Sequence, residues 1–234
     1  MSDASSGQDK EHAKRFTILR RPFRVLFLHG REGNPHGSKA TWLRESFQAT
    51  IPALDTSTIE AARVAALEAL DEADDGFDLV VGSSFGGALA MTLVSEGHWD
   101  GPVVLLAPAV RLVEGLAFEP TAPCVVVQGR NDAEVICKDV MARFAGEESD
   151  VFLIQGPWEH RLKGALKDGT IRRAMQWALG QEPLSSPEEL PAYVRHQALL
   201  ETSRMGWVEL GGELEGGTAL YEPEIDRPGP ASMA

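Results

Sequence analysis

The sequence predicts an α/β protein, a mostly parallel sheet with helices on both faces. Three observations carry that expectation. Short runs of four or five apolar residues recur along the chain without the polar alternation of a half-exposed strand. Stretches with apolar residues at helical spacing separate them, and several runs end in a Gly- or Pro-bearing turn that leads into the next helix.

The elements follow in order. Arg24-Val25-Leu26-Phe27-Leu28 reads as a buried strand ending at His29-Gly30. A loop rich in Gly, Asn and Pro spans residues 31–37, and Ser38 is the expected N-cap of a helix through Trp42, Leu43 and Phe47. Residues 56–73 place Ile59, Val64, Leu67 and Leu70 at helical spacing. Residues 77–81 form the next strand, and residues 86–95 a helix of small and apolar side chains. Strands are expected at 103–106, 124–127 and 151–154, with helices at 133–144 and 162–179.

A chain of 234 residues with 43% apolar content suits one domain of this kind. Its bounds are expected at residues 23–181, after a flexible lead over 1–22. A C-terminal extension over 182–234 is expected to be partly helical near 188–201, then poorly structured from Gly211. No solenoid-type repeat is present.

Composition narrows the function. With 22 basic and 35 acidic residues the net charge is −13, which argues against binding nucleic acid or an anionic membrane. Cys124 and Cys137 make no disulfide framework, and no Cys/His spacing suits a metal, so no metal is expected. The polar N-terminus lacks the apolar segment of a secretory signal, and no run is long enough for a membrane helix, so a cytoplasmic location is expected. The expected partners are a small molecule and water; oligomeric state is not legible.

The chemistry concentrates at Gly82-Ser83-Ser84-Phe85-Gly86, which fits G-x-S-x-G. Alone the motif is common. Its place between the apolar run Leu79-Val80-Val81 and a helix opening on Gly87, Ala88 and Ala90 is what makes it specific. A serine nucleophile needs a tight strand-to-helix turn that lifts its hydroxyl above the sheet, with glycine on either side where a β-carbon would collide. Ser84 is therefore the candidate nucleophile; Ser83 sits one place too early.

A serine hydroxyl also needs a base in reach and a third group to orient that base. In a doubly wound sheet such groups sit on loops after the carboxyl ends of strands, and where the serine occupies a strand-to-helix turn of the G-x-S-x-G kind they follow in the order nucleophile, acid, histidine. Asp132 follows the strand at 124–127, and His160 follows the strand at 151–154. Of the six histidines only His160 stands in the loop directly after the last core strand, downstream of a candidate acid. Glu134 is the nearest substitute acid, expected to lie within the following helix. Two backbone N–H groups, of Phe85 and Arg31, are the expected oxyanion hole, with His29 bracing the loop.

These residues carry a resemblance. Leu28-His29-Gly30, Gly33-Asn34-Pro35, Ser38-Lys39-Ala40, the serine turn and Pro108-Ala109-Val110-Arg111 resemble small bacterial esterases of the YqiA-like group of α/β hydrolases. Gly129-Arg130-Asn131-Asp132-Ala133-Glu134-Val135 looks like the acid loop of that superfamily, and residues 156–160 look like its histidine loop. The likeness spans about residues 25–179. It implies an α/β-hydrolase fold without a cap domain, acyl-ester hydrolysis, no cofactor, and a site at the carboxyl edge of the sheet. Arg31-Glu32 and the C-terminal extension depart from the pattern.

Ester, thioester and amide substrates all fit the same three residues. A different class of function, a binding or scaffold protein on a hydrolase fold, would be expected to have lost one of them. Residues 33–39 faintly resemble a phosphate loop, but Ser38 precedes Lys39 instead of following a Gly-Lys pair. About fifteen residues separate Ala107-Pro108, where the strand at 103–106 ends, from the strand at 124–127, too few for a folded cap. The site is therefore expected to be open and to prefer short acyl chains, with Trp158 and Leu112 as its apolar wall.

Overall fold

Continuously apolar strands need helices on both faces, and the chain supplies them. A computed structural model describes residues 22–144, 151–181 and 207–209. Within them seven strands form one parallel sheet: β1 (Arg24–Leu28), β2 (Gln48–Thr50), β3 (Leu79–Ser83), β4 (Val103–Leu106), β5 (Cys124–Gly129), β6 (Val151–Gly156) and β7 (Trp207–Glu209). Their order across the sheet is β2-β1-β3-β4-β5-β6-β7.

Among the described residues six helices cover the sheet: α1 (Ser38–Ser46), α2 (Ile59–Asp71), α3 (Phe85–Ser95), α4 (Cys137–Phe144), α5 (Lys163–Lys167) and α6 (Thr170–Ala178). Alternate strand residues feed two separate cores. Leu26, Leu28, Val80, Val103, Leu105, Val126 and Leu153 pack with α2, α3 and α4. Val25, Phe27, Val81, Val104, Val127 and Ile154 pack on the other face with α1, α5 and α6. Helix α3 is buried along nearly its whole length. Its glycines and alanines let it lie close to the sheet: a β-carbon on Gly82 would come 2.9 Å from that of Ala90.

The order reverses between β1 and β3, because the chain first runs outward from β1 to β2 and then returns. Loops leaving adjacent strands part at such a point and open a crevice at the carboxyl edge. The loops after β1 and β3 carry Arg31 and Ser84 to that crevice, while those after β5 and β6 bring in Asp132 and His160.

Several elements differ from the sequence expectation. Ser38 is the first residue of α1, not its cap; Gly37 holds the cap position with no side-chain hydrogen bond. Strand β2 was not expected, being three residues with an exposed-intermediate-exposed pattern. The helix expected from residue 133 begins only at Cys137, because the Asp132 carboxylate takes the amides of Glu134 and Val135 and turns the chain there. The single helix expected over 162–179 is two, divided at Gly169, whose φ of +82° no helix accommodates.

Between β4 and β5 the chain holds one short 3₁₀ turn (Val110–Val113) and no inserted domain. The lead expected over 1–22, Pro22 aside, the helix expected over 188–201 and the tail from Gly211 lie outside the described residues. Strand β7, within the C-terminal extension, pairs in register with Leu153–Gln155 of β6. Among the described residues, no helix is long and apolar enough to cross a membrane.

Candidate active site

Ser84 occupies the turn between β3 and α3 with φ +54° and ψ −115°, outside the regions favoured by residues other than glycine. Hydrogen bonds on both sides hold this strained backbone. Its N–H donates to the Leu106 carbonyl at 2.9 Å, and its own carbonyl accepts from the amides of Gly87, Ala88 and Ala109. The flanking glycines are required sterically. A β-carbon on Gly82 would lie 2.4 Å from the Gly86 carbonyl oxygen, and one on Gly86 would lie 2.0 Å from that of Leu28. Ser83, the rival hydroxyl, is buried at the end of β3.

His160 reaches the turn from the loop after β6. Its Nε2 lies 2.9 Å from Ser84 Oγ and its Nδ1 lies 2.8 Å from Asp132 Oδ2. A carboxylate can only accept, so Nδ1 carries the proton and the Nε2 lone pair faces the serine hydroxyl. Asp132, whose side chain is wholly buried, sits after β5. Its Oδ1 accepts from the amides of Glu134 (2.9 Å) and Val135 (2.8 Å), and its Oδ2 accepts from Gln128 Nε2 (3.2 Å) and His160. Burial by itself would raise the Asp132 carboxyl. The His160 hydrogen bond, the two amides and the charge of His160 outweigh it and hold the group below its ordinary value.

The acid and histidine loops are bonded to one another. Arg130 N–H donates to the Gly156 carbonyl, Asn131 N–H to that of Trp158, and Asn131 Nδ2 to that of Pro157. Trp158 anchors the histidine loop from beneath. Its ring fills the space where Gly156 and Gly164 have no side chain, and its Nε1 donates to Asp168 Oδ2 at 3.1 Å.

The structure thus brings Ser84, His160 and Asp132 together. Arg31 and Phe85 flank the turn as well: the Arg31 guanidinium lies over the Phe85 ring at 5.4 Å, and the amide of Phe85 is in the first turn of α3, where a helix leaves N–H groups free. Gly30 presses against the serine, since a β-carbon there would be 3.2 Å from Ser84 Cβ. His29 is buried and braces this loop: Nε2 accepts from the Leu54 amide at 3.2 Å, leaving Nδ1 to donate to the Gly30 carbonyl at 2.9 Å.

Three features were not anticipated. Glu134 stands in the loop before α4, not within it, and its carboxylate lies 3.6 Å from His160 Nε2. The expected apolar wall is absent: Trp158 is buried beneath the loop, and Leu112 does not line the site. The cavity beside Ser84, about 240 Å³, is instead bordered by Arg31, Glu32, Ser38, Lys39, Glu134 and Arg161 among others.

The third is Gln128, fully buried in β5, whose Nε2 donates to Asp132 Oδ2 and to the carbonyls of Gly129 and Val135. A polar residue closing an apolar strand four places before a candidate acid was the signal for it. Gln128→Met removes those donors and leaves buried acceptors unpaired, at about 1–3 kcal/mol. The urea midpoint is expected to fall by a corresponding amount, with a rate loss smaller than that of Asp132→Asn. An unchanged midpoint would show that Gln128 does not brace Asp132.

Among the described residues, no group of three His, Cys, Asp or Glu side chains could hold a metal ion. No family model matches the sequence, and no curated protein matches it. Solved structures do match. A protein from Xanthomonas campestris pv. campestris, described as a hydrolase of the alpha/beta superfamily, is similar at 20% identity and TM-score 0.53, over 66% of this chain and 98% of that one. Alpha/beta hydrolase domain-containing protein 10 from mouse is similar at 17% identity and TM-score 0.52, over 66% and 90%. The esterase domain of a Rhodothermus marinus protein is similar at 14% identity and TM-score 0.53, over 70% and 89%. At these identities the likeness speaks for architecture, and that architecture agrees with the strand order and the serine turn: the chain has the α/β-hydrolase fold.

Proposed function

We propose that this protein is a serine hydrolase that cleaves small acyl esters through an acyl-enzyme intermediate. The observation that carries the reading is the unbroken relay from Ser84 Oγ through the His160 ring to a buried, ionised Asp132. Ser84 attacks the acyl carbonyl while His160 Nε2 takes its proton. Asp132 keeps the ring in the reactive tautomer and stabilises the imidazolium without becoming protonated. The amides of Phe85 and Arg31 receive the developing oxyanion, and the strained turn holds the first of them in place beforehand. The imidazolium then gives its proton to the departing alcohol, and water repeats the sequence on the acyl-enzyme.

The small cavity and the absence of an insertion between β4 and β5 support short acyl groups, acetyl to roughly hexanoyl. The esterase domain from Rhodothermus marinus, which has a similar fold, supports an ester substrate. The test is a fluorophosphonate probe together with a panel of activated esters and thioesters. Wild type is expected to label and to hydrolyse short esters fastest, and Ser84→Ala to do neither while unfolding at the same temperature. Labelling of Ser84→Ala as efficient as wild type would overturn the assignment. A folded wild type that neither labels nor turns over any substrate would favour a binding protein on this fold.

A further inference from the structure

We propose that the substrate of this site carries a carboxylate on its acyl chain, held by Lys39 and Arg31. The inference rests on Ser84 as nucleophile and adds a substrate class to it. The chain as a whole carries −13, yet Arg31, Lys39 and Arg161 face only Glu32 and Glu134 around the cavity beside Ser84, three positive charges against two negative. Composition does not account for that local reversal. A local excess of positive charge on an acidic protein draws an anion to that spot against the overall repulsion.

The pairing within the cavity singles out two of the cations. Arg161 is matched to Glu32, with Nη2 to Oε2 at 3.2 Å. Glu134 stands against His160 Nε2. Among the described residues neither Arg31 nor Lys39 pairs with a carboxylate; Arg31 lies over the Phe85 ring, and Lys39 Nζ donates to the Arg161 carbonyl at 2.8 Å. That bond uses one of three ammonium protons. Lys39 is half-buried, and burial with the neighbouring Arg161 charge pushes it down to about 8, against the opposing pull of Asp132. A substrate carboxylate in the cavity would supply the missing counter-charge to both groups. A guanidinium fork beside an ammonium suits a carboxylate, because charge-assisted hydrogen bonds to such a group are short and directional. Both cations line the same cavity as Ser84, which places the anionic group on the acyl part of the substrate.

The experiment compares mono-4-nitrophenyl adipate, an anionic half-ester, with 4-nitrophenyl hexanoate, its neutral counterpart of equal chain length. Wild type is expected to favour the half-ester in kcat/KM by about tenfold or more, chiefly through KM. Lys39→Gln removes the charge while keeping a polar side chain, and is expected to abolish most of that preference. If Lys39 only ties α1 to the histidine loop, both esters change alike and the ratio stays, which would overturn the proposal. So would a wild-type enzyme that favours the neutral ester. Calorimetric binding of monomethyl adipate to Ser84→Ala, and its loss in Ser84→Ala/Lys39→Gln, separates the two readings. Binding without wild-type turnover supports anion recognition and counts against Ser84 as nucleophile; turnover of hexanoate with no selective binding does the reverse.

Discussion

Replacing either Ser84 or His160 with alanine is expected to lower kcat by about 10⁶-fold, and replacing both to lower it no further. The two side chains form one device: without the imidazole at 2.9 Å the hydroxyl keeps its proton, and without the hydroxyl the imidazole has nothing to activate. Independent roles would give losses that multiply in the double variant, and that outcome would refute the relay. Asp132→Asn is expected to cost about 10⁴-fold. The asparagine oxygen should remain with the amides of Glu134 and Val135, turning its NH₂ toward His160 and Gln128, both of which are donors there. The ring then turns the wrong tautomer to the serine.

The same variant has a signature in stability. Asp132 titrates below its ordinary value when folded, so it contributes stability that is present above the unfolded carboxyl pKa and lost as pH falls through the depressed one. Asp132→Asn should therefore be less stable than wild type at neutral pH, with the gap closing in acid. A constant gap across that range would mean the carboxylate is not held in its charged form by the fold.

The second large effect concerns folding. Gly86→Ala is expected to destabilise the protein by more than about 3 kcal/mol or to prevent folding. The added carbon would stand 2.0 Å from the Leu28 carbonyl oxygen and 2.7 Å from that of His29. Both are backbone atoms of β1 and its loop, which cannot rotate aside as a flexible side chain would. Gly37→Ala is the control: its nearest contact would be 3.4 Å, and it should change the urea midpoint little. Equal stability of the two variants would show that α3 does not need its close approach to β1.

The parallel sheet and the serine turn were legible because their signals are strong and local. A buried strand flanked on both faces needs a continuous apolar run, and β1, β3, β4, β5 and β6 each carry one, at 25–28, 79–81, 103–106, 124–127 and 151–154. The places of Ser84, Asp132 and His160 followed from where loops leave such strands. What escaped notice depends on contacts between distant segments. Strand β2 has too few residues and too much exposure to leave a periodic trace. Residues 133–136 have acceptable helix composition, but the Asp132 carboxylate captures their first amides, which displaces Glu134 to the rim of the site. Trp158 looked like a wall because it is large and near His160; Gly156 and Gly164, eight residues apart, make the slot that takes it inward. The ionic lining has no sequence period at all, since α1 and the loops after β1, β5 and β6 each contribute to it.

Strand β6 ends at Gly156, and its outer neighbour β7 lies about fifty residues later. On a ribosome adding roughly 5–20 residues each second, the strand leading to His160 emerges several seconds before its partner. During that interval its outer N–H and C=O groups are free to pair with another nascent chain, and its apolar residues make that pairing attractive. Quality of expression should then depend on how fast the last stretch of message is read, a property set by codons rather than by any side chain at the site.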